Sequence, residues 1–162
     1  MNKENKKRFQ ELYLKTKLIS HPSFIGRENC MPPANIKEAG ANDLTRLVIE
    51  FLEMNDCQSE RISSMGRYID GTKKVTDCIG RERTIGSGKY VKSTTTNGTA
   101  DISATIKGRS VKIEIKWQKD TQSKDQKAYE ASINKAGGIY IIIKTFDDFV
   151  DWFDDFNSTY LF

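Results

Sequence analysis

Apolar residues recur at helical spacing in three stretches of the chain. The clearest begins at Asn42 or Asp43, either of which is a plausible N-cap, and ends near Met54. Its apolar positions are Leu44, Leu47, Val48, Phe51 and Leu52. The other two stretches are a short basic one at residues 3–17 and an acidic one that follows a capping Thr145. Their apolar positions are Phe9, Leu12 and Tyr13 in the first, and Phe146, Phe149, Val150 and Phe153 in the second.

Alternation with period two predicts strands at residues 58–63, 100–106 and 110–117, the last two joined by the tight turn "KGR". In the strand at 110–117, Lys112, Glu114 and Lys116 share one face because side chains alternate. The opposite face is apolar and consists of Val111, Ile113, Ile115 and Trp117. The hairpin therefore has one apolar and one polar face.

The run "IYIIIK" at residues 139–144 is continuously apolar, which predicts a strand buried on both faces. A helix precedes it, capped by Ser123 and ended near Ala136 by "AGG". The buried positions expected in this helix are Ala128, Tyr129 and Ile133.

The region between residues 64 and 99 has no single clear period. "SMGRYIDG" indicates a turn-containing segment, and "STTTNG" indicates a polar loop. Between them, "KVTDCIG" and "GKYVKST" predict the two strands of a basic hairpin around "RERTIGSG".

From residue 42 the elements are helix, strand, irregular basic region, two antiparallel strands, helix, strand and helix. A strand–helix–strand crossover follows the antiparallel pair, which predicts an α/β fold with a mixed central β-sheet flanked by helices. We place the domain at residues 42–162 and assign residues 1–41 as a basic arm or linker. For this arm, a DNA-binding role, a dimer strap and a disordered leader all remain open.

The composition is typical of one globular domain: 162 residues, 37% hydrophobic and 30% charged. No apolar run approaches the roughly 20 residues that cross a bilayer, and no apolar segment follows the basic N-terminus as in a secretory signal. Three widely spaced cysteines without zinc spacing favour a reduced cytoplasm. His21 is the only histidine, which limits histidine-based catalysis.

Charge changes along the chain more than the net value of +4 suggests. Residues 145–162 contain five aspartates and no basic residue, whereas the rest of the chain is basic. A basic body favours a polyanionic partner, because each phosphate that it neutralises releases counterions. The acidic end is expected to face away from such a partner.

The polar face of the predicted hairpin carries Asp101, Glu114 and Lys116. Mg²⁺ prefers oxygen ligands and commonly takes one or two carboxylates, water and substrate phosphate. A lysine beside the ion can orient the attacking water or offset transition-state charge. The carbonyl of Ile115 is a natural further ligand. On spacing alone an ordinary charged strand face is the first interpretation, and metal-assisted phosphodiester cleavage is the alternative that the neighbouring residues have to support.

Three neighbouring features add to the interpretation as a metal site. Gly98 permits close approach of the backbone to a ligand. Gln126 lies in the first turn of the next helix, within reach of the strand ends. The basic loop at residues 81–92 is suited to gripping a nucleic-acid backbone. No small-molecule cofactor and no membrane partner are expected.

The segment "GTADISATIKGRSVKIEIKWQKDTQSKDQKAYEASINKAGGIYIIIKTFDDF" resembles the VRR-NUC branch of the PD-(D/E)xK nucleases. That family shows Gly-x-x-Asp at a strand start, a hairpin, Glu-x-Lys, "S-x-x-Q" opening a helix, then "AGG" and an apolar strand, and all occur here in order. "RISSMGRY" is similar to a stretch before the catalytic hairpin of phage and prophage members, with Ser63 in place of Asn. The resemblance covers roughly residues 42–150.

The resemblance implies a restriction-endonuclease-like core with Asp101 and Glu114 as metal ligands, joined by the carbonyl of Ile115. It implies that Lys116 is the catalytic lysine and that Gln126 positions water, metal or phosphate. Glu50 is a further candidate ligand, with a solvated helix acid as the alternative, and Asp43 is out of place for that role. The DNA-binding candidates are Arg61, Arg67, Arg81, Arg83, Lys89 and Lys92. For Arg61 a structural ion pair is the alternative.

The function so implied is a Mg²⁺-dependent DNA nuclease in which Mn²⁺ substitutes. A homodimer acting on branched or junction DNA in phage DNA processing or recombination is the expected form. The rival hypothesis is a non-catalytic nucleic-acid-binding or virion-associated protein that keeps the fold. A sequence-specific restriction enzyme and a plain interaction module are further alternatives.

Overall fold

The computed structural model describes residues 1–63, 66–93 and 96–160. Within them the chain forms a mixed α/β structure. Its helices are α1 (Lys3–Ser20), α2 (Ala41–Met54), α3 (Lys124–Lys135) and α4 (Phe146–Thr159). Its strands are β1 (Gln58–Arg61), β2 (Arg67–Ile69), β3 (Lys73–Thr76), β4 (Glu82–Ile85), β5 (Lys89–Val91), β6 (Ile102–Ile106), β7 (Arg109–Ile115) and β8 (Ile139–Ile143).

Parts of four sequence predictions lie outside the described residues. Ser64 and Met65 belong to the turn-containing segment, and Thr94 and Thr95 to the polar loop. Thr94 also ends the predicted strand "GKYVKST", and Leu161 and Phe162 end the predicted domain. No helix within the described ranges is long and apolar enough to cross a membrane.

The central sheet has the strand order β1-β6-β7-β8. β6 and β7 form the predicted hairpin, whose turn residues Lys107 and Gly108 both have positive φ. That backbone conformation matches the twist of a two-residue hairpin. β8 returns parallel to β7 after α3. The sheet is therefore mixed, as the order of the elements predicted.

One face of the sheet and helices α1, α2 and α4 enclose the hydrophobic core. The apolar stripe predicted for α2 is fully buried, and so are the aromatic positions of α4. Phe51 lies at the centre of this core and packs against four other rings. They are Phe9, Phe146, Phe149 and Phe153.

Helix α1 belongs to the same core, although the sequence analysis assigned residues 1–41 as an arm. Phe9 is completely buried between Phe51 and Phe146. At the surface, Arg8 donates two hydrogen bonds to the carboxylate of Asp154 on α4. The short apolar stripe of α1 is sufficient to hold the helix in the core, because one aromatic side chain, Phe9, fills the gap between α2 and α4. Packing therefore begins well before residue 42, and basic α1 neutralises part of acidic α4.

Helix caps agree with the sequence in two cases and differ in one. Ser123 and Thr145 cap α3 and α4, each within a capping box. The prediction for α2 was wrong, because the helix begins at Ala41 with Gly40 as N-cap. The carboxylate of Asp43 instead accepts a hydrogen bond from the backbone N–H of Ala39, just outside the helix.

The second face of the sheet is only partly covered. β8 is an edge strand, and Ile142 is 39% exposed, so the prediction of a strand buried on both faces was wrong. Helix α3 has no buried residue: Ala128 is exposed, and Tyr129 and Ile133 are half-buried. The reason is geometric, since one short amphipathic helix spans this face without enclosing it. Residues of α3 thus cover Glu114 and Tyr140 on this face, while Thr105 and Ile142 stay exposed.

The basic region contains two nested strand pairs, whereas the sequence predicted one hairpin around "RERTIGSG". β3 pairs with β4, and outside them β2 pairs with β5. Paired residue numbers sum to 158 in both pairs (67 + 91 and 73 + 85), so the register continues from one pair to the next. We call residues 67–91 the β-ribbon. Its paired residues are all exposed.

Candidate active site

Asp101 and Glu114 lie opposite each other at one end of the β6–β7 hairpin. Ile102 pairs with Ile113, so the next position outward places Asp101 across from Glu114. Asp101 Oδ2 accepts a hydrogen bond from the backbone N–H of Ile115 at 2.9 Å, which holds the carboxylate against β7. Directly opposed residues of an antiparallel pair have Cβ atoms about 5 Å apart. The two carboxylates therefore share one small region of the sheet face.

Glu114 and Lys116 form a buried ion pair beside Asp101. The Nζ of Lys116 lies 3.0 Å from Oε1 of Glu114. Both side chains are nearly inaccessible, at 2% exposure for Glu114 and 5% for Lys116. This burial distinguishes the pair from the exposed charged strand face that spacing alone suggested first, because exposed Lys–Glu pairs keep their hydration.

Gln126 joins this ion pair to the N-terminus of α3. Its Oε1 accepts hydrogen bonds from Nζ of Lys116 at 2.9 Å and from the backbone N–H of Ser123 at 2.9 Å. Its Nε2 donates to the carboxylate of Glu114. Gln126 is the third helical residue of the capping box, so the motif that starts α3 also orients the amide toward the site. The sequence prediction for Gln126 agrees with this position.

Two further residues, Tyr140 and Asp120, contact the site and were not identified from the sequence. The hydroxyl of Tyr140 lies 3.4 Å from Oε2 of Glu114, and a carboxylate oxygen of Asp120 lies 3.4 Å from Nζ of Lys116. Tyr140 reaches Glu114 only through the parallel register of β7 and β8, which no local pattern reveals. Asp120 stands four residues after Lys116, a spacing that carries no signal outside a helix.

The environment affects the protonation of all three central groups. Burial raises the pKa of the Glu114 carboxyl, and the charge of Asp101 raises it further, while the hydrogen bond from Lys116 opposes both. Burial lowers the pKa of Lys116, but hydrogen bonding to Glu114 and the charges of Glu114 and Asp120 outweigh it, so that this pKa is raised. Burial and the charge of Glu114 also raise the pKa of Tyr140, which keeps the phenol protonated. The site thus favours cations and disfavours a second negative charge.

The oxygen donors of this cluster fit a divalent cation of the Mg²⁺ type. Asp101 and Glu114 repel each other, and a cation between them would relieve the repulsion that raises the pKa of Glu114. Among the described residues, Oδ1 of Asp101 has no hydrogen-bond partner and is available as a ligand. No group of three or more His, Cys, Asp and Glu side chains in the described ranges could hold a metal. Two carboxylates and the Ile115 carbonyl are nevertheless within the usual donor set of Mg²⁺.

Other candidates from the sequence lie away from this cluster. Glu50 forms an ion pair with Arg46 on the same helix, at 3.1 Å, and contacts none of the cluster residues. Its position on α2 makes the solvated helix acid the better description. Arg61 donates to Oδ1 of Asn42 at 2.6 Å, a neutral partner in place of the ion pair that was the alternative to phosphate binding.

The remaining DNA-binding candidates belong to the β-ribbon or its base. Arg67, Arg83 and Lys89 lie on its strands, whereas the backbone of Arg81 closes the turn with Asp77. Lys92 follows β5 and lines a cleft of about 510 Å³. That cleft is also lined by Gly98 and by Asp125, the neighbour of Gln126.

Gly98 has a different role from the one predicted, since it contacts protein. Its φ is +75°, and a Cβ there would lie 2.3 Å from the backbone carbon of Asp125. The glycine therefore allows the segment before Asp101 to pack directly on the first turn of α3. This contact helps to place Gln126 beside Glu114.

Gly98→Ala is expected to lower the free energy of unfolding by about 3 kcal/mol, because left-handed strain and a backbone clash combine. Gly26→Ala is a matched control, with φ of +80° and open space around the added Cβ, and its expected cost is about 1–2 kcal/mol. Urea unfolding of both variants measures the difference. Equal losses would show that the contact with Asp125 contributes nothing.

No protein-family model matches this chain, and no curated protein sequence matches it significantly.

Proposed function

We propose that this protein is a Mg²⁺-dependent DNA nuclease with a restriction-endonuclease-like core, of the VRR-NUC type that the sequence resembles. The observation that carries the proposal is the buried cluster of Asp101, Glu114, Lys116 and Gln126 at one end of the β6–β7 hairpin. An ordinary strand face has no reason to bury a carboxylate and an ammonium group together, because removing both from water costs free energy. A catalytic role for both the carboxylate and the ammonium group would explain why they are buried together.

In this proposal Asp101, Glu114 and the Ile115 carbonyl hold Mg²⁺, and Mn²⁺ substitutes. When bound, the ion supplies Lewis-acid chemistry and a water of lowered pKa. Water oxygen attacks phosphorus in line, the bond from phosphorus to the 3′ oxygen breaks, and a proton passes to that oxygen. The products are a 5′-phosphate and a 3′-hydroxyl.

The chain's own residues have distinct roles in that reaction. Lys116 is held by Glu114 and Gln126, which fixes its ammonium group beside the two carboxylates. Its charge offsets the negative charge that develops on the phosphoryl oxygens. Gln126, whose amide is oriented by the Ser123 backbone, fixes the position of Lys116 and orients the attacking water.

The substrate assigned here is DNA, including branched and junction DNA, and the acting form is a homodimer in the cytoplasm of a phage host. The basic character of most of the chain supports a polyanionic substrate. The resemblance to stand-alone phage members supports branched DNA and a dimer that presents two sites.

The test is cleavage of labelled linear, flapped and four-way-junction DNA with Mg²⁺, with Mn²⁺ and with a chelator. We expect cleavage with either metal, none with the chelator, and 5′-phosphate ends on the products. Binding without cleavage under every metal condition would replace this proposal with the non-catalytic nucleic-acid-binding protein. Neither binding nor cleavage would favour an interaction module.

A further inference from the structure

The two faces of the β-ribbon differ in charge. Opposed residues of an antiparallel pair share a face, and neighbours along a strand alternate between faces. The two pairs have the same register, and three residues separate them on each strand, at 70–72 and 86–88, so we take positions of equal parity in both pairs as one face of the β-ribbon. One face, which we call the basic face, is formed by Arg67, Ile69, Lys73, Val75, Arg83, Ile85, Lys89 and Val91. It has four cations, four β-branched residues and no acid.

The opposite face has a different chemistry. Its paired positions are Tyr68, Lys74, Thr76, Glu82, Thr84 and Tyr90, so that one cation is balanced by one acid. The tyrosine rings lie against glycines of the facing strand: a Cβ on Gly88 would clash with Tyr68, and one on Gly66 with Tyr90. These rings stiffen the base of the β-ribbon from that side. They leave the basic face to make other contacts.

The cations of the basic face are exposed and mostly without acidic partners. Arg67, Lys73 and Lys89 form no ion pair among the described residues, and Arg83 lies 3.3 Å from Asp77 in the turn. The β-branched neighbours are also exposed, by between 36% for Ile69 and 53% for Ile85. A surface that pairs uncompensated cations with exposed apolar groups favours a ligand that is anionic and has apolar parts.

We infer that the basic face of the β-ribbon binds in the major groove of a DNA duplex next to the cleaved bond. The inference rests on the proposed function, because it takes DNA as the polyanion. The cations would contact phosphates along both walls of the groove, and the β-branched residues would contact sugars and thymine methyl groups. The substrate class is therefore DNA with a double-stranded segment flanking the cut.

The dimensions of the β-ribbon agree with this ligand. The strand run from residue 67 to residue 76 is about 30 Å long at about 3.3 Å per residue. Two strands lie about 5 Å apart, and the major groove is about 12 Å wide and accepts a two-stranded ribbon. Single-stranded DNA would need stacking surfaces on the binding face, whereas the aromatic residues of the β-ribbon strands lie on the opposite face.

The base of the β-ribbon shares a cleft with the first turn of α3, from which Gln126 reaches the candidate active site. The cleft that begins at Gly66, Tyr90 and Lys92 at its base is bordered on the other side by Gly98 and Asp125. Gly98 and Asp125 are the residues that position Gln126. A duplex held by the β-ribbon would thus reach the cluster of Asp101, Glu114 and Lys116 along this cleft.

Lys73→Gln and Lys74→Gln form a matched pair of variants, because these exposed neighbours on β3 point to opposite faces. Binding of a short labelled duplex, and of one of its single strands, is measured by fluorescence anisotropy without divalent metal over a salt series. We expect Lys73→Gln to weaken duplex binding about threefold and to reduce the salt slope by about 0.9, and its combination with Lys89→Gln to weaken binding about tenfold and reduce the slope by about 1.8, at about 0.9 per lost phosphate contact. Lys74→Gln should leave both quantities unchanged.

Each other outcome overturns the inference. An equal loss for Lys74→Gln would mean that the β-ribbon attracts DNA through charge without a preferred face. Single-strand binding that is as tight as duplex binding, and equally weakened, would make single-stranded DNA the ligand. A change of oligomeric state in the Lys73/Lys89 variant, measured by sedimentation, would make a second copy of this chain the occupant of the basic face.

Failure of this inference is separable from failure of the proposed function. Metal-dependent cleavage, together with duplex binding that is unchanged in the Lys73/Lys89 variant, would overturn the role of the basic face alone. Duplex binding through the basic face without cleavage under any metal would overturn the nuclease and support the basic face as a duplex-binding surface.

Discussion

Glu114→Gln is expected to lower metal-dependent DNA cleavage at least about 100-fold, the order of loss on removing one charged contributor to a transition state. The substitution keeps the volume of the side chain and removes its charge. A neutral amide is a poor ligand for Mg²⁺, and it no longer fixes the ammonium group of Lys116 by an ion pair. DNA binding without metal should remain, because the basic face of the β-ribbon is unchanged.

Rates on the preferred DNA substrate, under single-turnover conditions and over a Mg²⁺ series, measure this effect. Glu53→Gln is the control, since it removes the same charge from an exposed position on α2. Urea unfolding shows whether the variant is folded, and we expect it to be, because Asp120 remains as an acidic partner of Lys116. Full activity of folded Glu114→Gln would remove the candidate active site from the reaction.

Lys116→Met is expected to abolish cleavage and also to lower the free energy of unfolding by about 3–5 kcal/mol near neutral pH. Stability falls because the substitution leaves the buried carboxylate of Glu114 without its counter-ion. The free-energy cost of that unpaired charge exceeds what the intact ion pair contributes. Glu114 is only 2% exposed, so water does not replace the lost partner. The hydrogen bonds from Gln126 and Tyr140 remain and limit the cost.

This destabilisation should depend on pH in a defined direction. The folded-state pKa of Glu114 is raised by burial, and loss of the Lys116 hydrogen bond and charge raises it further. Folded protein then binds the proton more tightly than unfolded protein does, so lowering the pH through the folded pKa recovers stability. The difference between wild type and Lys116→Met should shrink from about pH 8 to about pH 5 in urea unfolding with a chelator present.

The double variant Lys116→Met with Glu114→Gln separates the charge from simple packing. It should recover most of the lost stability near neutral pH, because no buried charge remains. A loss that stays constant with pH and persists in the double variant would show that Lys116 contributes through its packing. Cleavage should be absent in both variants.

Local patterns in the sequence predicted the elements of the domain well where one face of an element is buried. The stripe of α2, the aromatic side of α4, the hairpin turn at Lys107–Gly108 and the cap of α3 at Ser123 all agree with the structure. Each depends on residues within a few positions of one another, so that the chain itself supplies the information.

The predictions that differ depend on packing between distant segments. "IYIIIK" has the composition of a central strand, yet β8 lies at the edge of the sheet, where β7 is its one neighbouring strand among the described residues. The β-ribbon shows exposed, mixed side chains with no burial pattern to set its register, so the sequence suggested one hairpin where two pairs are nested. In α1, one buried aromatic residue, Phe9, decides the packing, and a short stripe cannot show that.

The sequence is enough to place Asp101, Glu114 and Lys116 on one sheet face, because the turn at Lys107–Gly108 sets the register of β6 and β7 and side chains alternate along β7. It also determined the basic and acidic segments. Three features of the site appear only in the folded chain. The ion pair of Glu114 and Lys116 is buried, and Tyr140 contacts Glu114 from the parallel strand β8. Gly98 lets the preceding segment pack on α3, so that Gln126 contacts Glu114. The physical reason is that turns and side-chain alternation act over a few residues, whereas burial and parallel pairing exist only after distant segments have packed.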